Sequence, residues 1–267
     1  MRFTNVVLGS LVPVTLFLLW YFVGYFNIVP SSLVPTPGQV FEAFVNWFGL
    51  SAGHAPQMFY SGMLLSDIYS TLFRVVAGFL IATVAGVGFG IAIGMSRSVD
   101  TLFSPTFRLL GPIPPITLFP LAIVILGLGE TTDVFLTAYG AFFPILAASI
   151  TAVMGVHRDL LRAGRMMGHR MVGLILFVII PAALPGISGS LRIGLGLAWM
   201  MAVTTEMLAV HSGLGYTLWN AYNYFDYPAV YAAMFMIGLC GLLTDAVVDL
   251  LTRRAIKWHS DVNARSR

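Results

Sequence analysis

Lysine occurs once, at position 257, and cysteine once, at position 240. Charged residues of every kind make up only 9% of the 267 positions. An ordinary soluble domain carries about 25% charged residues. A chain this poor in charge cannot clothe its surface for water, so lipid is the solvent for much of it. Cys240 cannot form an internal disulfide, and its place in an apolar run reads as a small buried hydrophobe. Lys257 lacks the glycines of a G-x-x-x-x-G-K-[ST] loop before it, so the chain does not hold ATP by that route. The histidines at 54, 157, 169, 211 and 259 are scattered, and none stands at metal-ligand spacing with another His, Cys or Glu. No G-x-S-x-G elbow occurs and nothing points to nucleic acid. There is no case for an enzyme, and active transport here would draw its energy from a partner or an ion gradient.

What is present is apolar length. Hydrophobic residues form 58% of the chain. They gather at 6–26, 71–95, 107–128, 133–153, 186–208 and 229–251. At about 20 apolar residues per crossing these are six candidate transmembrane helices. The first is longer than a signal-peptide core and is followed by no A-x-A-type site, so it reads as an uncleaved span. The third opens on GPIPPI (111–116), and its helix is expected to start within or just after those prolines.

Basic residues set the orientation. With the N-terminus in the cytoplasm, Arg2, Arg97, Arg108, Arg158, Arg162, Arg165, Arg170, Arg253, Arg254, Lys257, Arg265 and Arg267 all lie inside. Only Arg74 and Arg192 remain, within spans. The outer segments then carry Glu42, Asp67, Glu130, Asp133 and Asp226. An even number of spans leaves both termini inside. The chain divides into an N-terminal span (1–30), an outer loop with an interfacial helix (31–70), a core of further spans (71–252) with a cytoplasmic loop at 154–175, and a basic tail (253–267). The interfacial helix is PGQVFEAFVNWFG (37–49), proline first and glycine last. Val40, Phe41, Phe44, Val45 and Phe48 form its apolar face.

Two spans carry a small residue every fourth position: Gly78, Ala82, Gly86, Gly90 and Gly94 in one, and Gly186, Ser190, Gly194, Ala198 and Ala202 in the other. Close backbone approach at small residues is what lets membrane helices associate. These stripes therefore mark tightly packed inner helices, with a subunit interface as one place for them. Glu206 continues the second stripe, at a depth comparable to that of Arg74. An ionisable residue in a span faces an interior, a cavity or a partner. Glu206 either pairs with Arg74, reaches outer water or lines a solute path. Arg192 is placed to snorkel to cytoplasmic water, and Asp245 and Asp249 to be solvated at a helix end. Trp199, at mid-span, lines a path or packs on a neighbour. WNAYNYFDY (219–227) serves docking or gating on the outer side, or forms an interfacial aromatic belt.

The loop sequence RAGRMMGHRMVGLILFVIIPAALPG (162–186) places Arg162, Ala163, Gly164, Gly168, Val178, Ile180 and Pro181 at the positions of the motif E-A-A-x3-G-x9-I-x-L-P. In this it resembles the permease subunits of binding-protein-dependent ABC importers, with Arg162 where the family has glutamate. PTPGQV (35–40), TLFRVVAGFLIATVAGVGFGIAIGMS (71–96), PIPPITLFPLAIVILGLGE (112–130), YGAFFPIL (139–146), PAALPGISGSLRIGLGLAWMMAVTTEML (181–208) and GLGYTLWNAYNYFD (213–226) extend the likeness. They narrow it to importers of the nitrate, sulfonate, bicarbonate and taurine group.

The resemblance implies an all-α integral membrane protein with six transmembrane helices in the type I ABC importer permease (MetI-like) fold. It implies a homodimer of this chain in the bilayer, two ATP-binding subunits on the cytoplasmic side and a substrate-binding protein outside. It implies no cofactor in this chain, with ATP and Mg on the partner ATPase. Arg162, Ala163, Gly164, Arg165, Met166, Met167 and Gly168 would then form a coupling helix. In it Ala163, Gly164, Met166 and Met167 fit an ATPase groove and the arginines meet acid at its rim. Pro181 and Pro185 would break the chain between that helix and the fifth span. Arg74, Trp199 and Glu206 are the candidates for the translocation path, and the solute is a small polar anion. The rival reading is an ion-coupled carrier with Glu206 or Asp245 as proton site.

Overall fold

The computed structural model describes residues 2–26, 30, 33–50 and 60–256. The basic tail beyond residue 256, and Ser51 to Gln57 of the outer loop, lie outside them. The described residues are almost entirely helical. In chain order they form α1 (Arg2–Tyr25), α2 (Pro37–Phe48), α3 (Leu64–Met95), α4 (Arg97–Leu110), a 3-10 turn (Pro115–Leu118), α5 (Phe119–Leu126), α6 (Glu130–Met154), α7 (Arg158–Met166), α8 (Met171–Ala209), α9 (Leu214–Asn223) and α10 (Tyr227–Ala255). Four of these, α3, α6, α8 and α10, are long and apolar enough to cross a membrane, and a fifth crossing results if α4 and the 115–126 segment count as one bent pair. Within α1 the short apolar stretch is Val14–Gly24.

The chain divides into two compact units, Met1–Tyr69 with Ser212–Gly238, and Ser70–His211 with Leu239–Arg267. In the first, α2 starts where the sequence places it. Thr36 and Gln39 close a reciprocal capping box, with Pro37 at the first turn and Gly49 at φ +82° ending the helix. Its buried stripe is Val40, Ala43 and Trp47, while Phe41 and Phe48 point outward. Asp67, expected in an outer loop, is buried in the first turn of α3. It accepts hydrogen bonds from Trp47 Nε1 (3.1 Å), Gly213 N (3.1 Å) and Thr217 Oγ1 (2.9 Å). A carboxylate removed from water needs such donors, and it thereby ties α2, α3 and α9 together. The buried Tyr60 donates to Asp226 Oδ2 at 2.8 Å. Burial, then the bond to that carboxylate, pushes its phenol well above the usual value. Phe225 ends α9 at φ +57°. It closes a Schellman turn through Asp226 N to Ala221 O (2.9 Å) and exposes its own ring and that of Tyr224.

In the second unit α6 lies between α3 and α8. Both small-residue stripes are turned to it. A Cβ on Gly78 would stand 2.6 Å from Thr137 Cγ2, one on Gly94 2.7 Å from Val153 Cγ1, and one on Gly90 would overlap Ser149 Cβ. On the α8 side a Cβ on Gly186 would meet Ala152 Cβ at 2.8 Å, and one on Gly194 would meet Ile145 Cδ1 at 2.7 Å. The glycines of both stripes thus make their close contacts within this chain. Helices that gain nothing from excluding lipid associate through such close contact.

Two further expectations change. The run 107–128 is not one helix. α4 begins at Arg97, with no buried residue of its own, and stops at Leu110. Pro112, Pro114 and Pro115 remove the donors needed to continue it, and the 115–126 segment leaves at 88°. Conversely, Pro181 and Pro185 do not break the chain. α8 runs from Met171 through both, with a π turn at Ile175–Ile179 just before Pro181. Its 39 residues span about 58 Å at 1.5 Å per residue, roughly twice the hydrocarbon thickness. The helix is therefore longer than a single crossing requires.

Candidate functional site

The loop singled out by the motif folds into α7, a two-turn helix, and its glycines are explained by geometry. Gly168 sits at φ +81°. It closes a complete Schellman motif, with His169 N bonded to Gly164 O (3.2 Å) and Gly168 N to Arg165 O (3.0 Å). Only glycine enters that conformation without a steric cost of roughly 1–2 kcal/mol. Gly164 is buried, and a Cβ there would lie 2.9 Å from Val178 Cγ2. It therefore faces the chain's own α8 and not outward, which corrects its place among the partner-facing residues. The motif's spacing joins α7 to the π turn of α8. Gly164 packs on Val178 and Leu174, and Leu161 and Ile175 pack against the Val153, Ile179 and Ile187 cluster.

Arg162, Ala163, Arg165, Met166 and Met167 remain exposed, Met166 at 86% and Met167 at 69%. Arg162 makes only a 3.4 Å contact with Asp159, itself exposed. The result is a rigidly mounted knob with a bare methionine tip and a basic flank. Gly168→Ala is expected to destabilise this turn by about 1 kcal/mol while leaving insertion intact. The check is faster amide exchange confined to 164–170 in the purified protein.

A second cluster lies at the other end of the bundle. Arg74, 1% exposed, holds Glu206 at 2.7 Å, Glu130 at 3.0 Å and Asp133 at 3.8 Å. Thr71 donates to Glu206 (3.0 Å) and Thr205 to Asp133 (2.6 Å). One guanidinium thus joins α3, α6 and α8, with planar, multiple hydrogen bonding that a lysine would not supply. Glu206 and Asp133 are fully buried and Glu130 is half in water. Glu130 and Asp133, read from sequence only as outer acids, are part of this cluster. Their i, i+3 spacing on α6 was the available signal.

The structure packs Trp199 against α10, with Nε1 donating to Thr244 Oγ1 at 2.8 Å. Arg192 does not snorkel alone. It binds Asp245 through Nε (2.9 Å) and Asp249 at 3.1 Å, and Asp249 also holds Arg253 at 2.7 Å. Both aspartates are therefore ion-pair partners.

The third feature follows the break after α4. A cavity of about 440 Å³ lies against Pro112, Pro115, Tyr139, Gly140, Leu197 and Met201. A second, of about 640 Å³, lies between α4 and the Met154 end of α6.

Four helices long and apolar enough to cross a membrane, with the exposed tip of α7 beside them, define a membrane protein. Residues 82–257 match the family described as binding-protein-dependent transport system inner membrane component, and the chain belongs to that family. It is 30% identical over 243 residues to the taurine transport system permease protein of Escherichia coli (strain K12), covering 91% of this chain and 86% of that one. It is 31% identical over 193 residues to the nitrate import permease protein of Leptolyngbya laminosa, covering 72% and 69%. Its fold matches an inward-facing form of the MetNI methionine ABC transporter with a TM-score of 0.65 at 20% identity, over 75% of this chain and 99% of that one. The chain is a transport subunit of an ABC importer, not an enzyme, and ATP is used by a separate ATPase chain. The ion-coupled carrier is thereby set aside. Its two candidate proton sites, Glu206 and Asp245, are each held by an arginine.

Proposed function

We propose that this chain forms, as a homodimer, the translocation path for a small polar anion of the nitrate, bicarbonate, taurine or sulfonate class. A separate protein on the outer side delivers the solute, and two ATPase subunits drive transport from the cytoplasm. The likeness to taurine and nitrate permeases supports the class of solute. In this reading α1 and the bent α4–α5 pair add to the four long helices to make six crossings, with both termini inside the cell inner membrane. The bias of arginine toward one set of loops supports that orientation.

The observation that carries the mechanism is the exposed tip of α7 on a rigid mount. Arg162, Ala163, Arg165, Met166 and Met167 enter a groove of the ATPase, and Gly164 and Gly168 fix the angle at which they do so. Methionine adapts to an irregular pocket. Because α7 packs directly on α8, which runs unbroken past two prolines, closure of the ATPases moves α8 as a rod. Arg74 and Glu206 keep α3, α6 and α8 together during that motion, and Trp199 holds α8 to α10. All three residues act on the path by setting its walls.

Reconstitution tests this. Uptake of radiolabelled taurine or nitrate is expected only with ATP, the ATPase and the binding protein together, and none with a pH gradient alone. Met166→Glu with Met167→Glu is expected to uncouple, lowering binding-protein-stimulated ATP hydrolysis about tenfold, because two charges would be buried in an apolar groove. Uptake driven by the pH gradient, or unchanged stimulation in the double variant, would refute the reading.

A further inference from the structure

Charge on α4 is placed where a lipid-facing helix would not tolerate it. α4 climbs along α6 from its Met154 end. Phe103 and Phe107 pack against Phe89 of α3 (5.6 and 5.5 Å between ring centres), and Phe107 also meets Phe142 (5.7 Å) and Phe143 (6.5 Å) of α6. Phe142 is the midpoint of Glu130–Met154, so the last turn of α4 stands at half the depth of that helix. There the helix stops, at Gly111–Pro114, and the chain turns through 88°. Irregular backbone at such depth persists only where it is buried in protein or borders a water-filled cavity. Broken helices near the bilayer midplane also mark solute sites in transporters.

Both cavities touch the break. The 440 Å³ cavity and the 640 Å³ cavity share Gly111, Pro112 and Phe143. Together they make one groove, from the middle of α6 to its Met154 end. Asp100, Ser104 and Arg108 recur every fourth residue on the wall that α4 gives to this groove. Asp100 accepts a hydrogen bond from Ser104. Arg108 is exposed and makes no ion pair among the described residues. The two charges are eight residues apart, about 12 Å along the helix, with Arg108 at the deeper end. An ionisable side chain at membrane depth that faces a cavity marks a route for solute or ions.

We propose that this groove is the inner half of the solute route and that Arg108 is the cation an anionic solute meets in it. The inference rests on the chain being an importer of small anions. Arg74 does not compete for the role, because its guanidinium is buried among carboxylates. Arg108 offers a charge-assisted contact from one side only. Such a contact is weak enough for release, as a passage requires. Sequence reasoning assigned Arg108 to a cytoplasmic loop, because the polar residues of α4 obscured a helix that enters the bundle.

The single native cysteine makes a direct test simple. In a Cys240→Ser background, with the permease assembled with its ATPase in inside-out vesicles, Ala147→Cys and Ile150→Cys report on the groove. Val124→Cys, on the 83% exposed outer side of α5, reports on lipid, and Ala255→Cys, at the exposed end of α10, on water. The probes are an anionic, sulfonate-bearing methanethiosulfonate and its cationic trimethylammonium analogue. The groove cysteines are expected to react within about tenfold of Ala255→Cys and at least about tenfold faster than Val124→Cys. The anion-to-cation rate ratio at Ala147→Cys, referred to that at Ala255→Cys, is expected to fall by about threefold or more in Arg108→Gln and to persist in Arg108→Lys. Reaction no faster than at Val124→Cys would mean that lipid or a second copy of the chain fills the groove, and would overturn the route. An unchanged ratio in Arg108→Gln would overturn the role of Arg108. Neither readout needs a transported solute, so failure here is distinct from failure of taurine or nitrate uptake.

Discussion

Arg74→Gln is expected to cost about 3–5 kcal/mol, the penalty for leaving buried charges without their partner, and to remove most of the folded permease from the membrane. The loss is large because one side chain answers three carboxylates, at 2.7 Å (Glu206), 3.0 Å (Glu130) and 3.8 Å (Asp133). Glu206→Gln is expected to be milder. The guanidinium then keeps Glu130 and Asp133, and the new amide still accepts a bond from Thr71, now 3.0 Å from Glu206. The double variant should cost less than the sum of the two single losses, because the partners share one interaction. Thermal unfolding of the purified complex, read with the yield of monodisperse protein, measures all three. Additive losses would show that the pair is not coupled. The same variants separate a lock from a lining residue. Whatever folded Glu206→Gln protein remains should transport with an unchanged KM for the solute, since Glu206 sits at 0% exposure and touches helices only.

Gly90→Val is the second large effect. A Cβ at Gly90 would overlap Ser149 Cβ and come within 3.2 Å of Ile150 N. The obstruction is α6 itself, not the far end of a flexible chain, so α3 and α6 must separate. Overpacking a rigid seam costs about 1–3 kcal/mol, and here the separation also pulls on Arg74, four turns away on the same helix. Gly88→Ala, with nothing within 4 Å of its Cβ, is expected to be silent. Gly90→Ala combined with Ser149→Gly should recover most of the stability lost in Gly90→Ala alone, because it removes the atom that collides. Melting temperatures of the four proteins decide this. A silent Gly90→Val would refute the close seam.

The contrast between Gly90 and Gly88 illustrates what a sequence discloses. A glycine every fourth residue announces a close approach, because spacing of that kind keeps small residues on one slowly winding face. It does not announce the neighbour. The stripes of α3 and α8 were each legible, yet both are covered by α6, whose facing residues Thr137, Ile145, Ser149 and Val153 form no small-residue stripe of their own. Arg74 and Glu206 were legible as an expensive pair at one depth. Asp133 was not, since an acid near a predicted helix end reads as solvated until Thr205, Thr137 and Arg74 are seen around it. The prolines misled in both directions. Those at 112–115 end a helix because they stand close together at its terminus. Pro181 and Pro185 are spaced four apart inside a long helix that continues through them, with a π turn directly before the first.

Composition and motif spacing by themselves determined that this protein lives in lipid, belongs with transport permeases and carries a distinct basic, glycine-containing loop at 162–168. Those properties depend on local counts and on residues within one helical turn of each other. Tertiary structure alone decided which helix fills the glycine seams, which carboxylates share Arg74, and that α4 brings Arg108 to a groove beside the middle of α6. Each of these depends on segments tens of residues apart meeting side by side, and in lipid that meeting is chosen by shape and charge rather than by hydropathy.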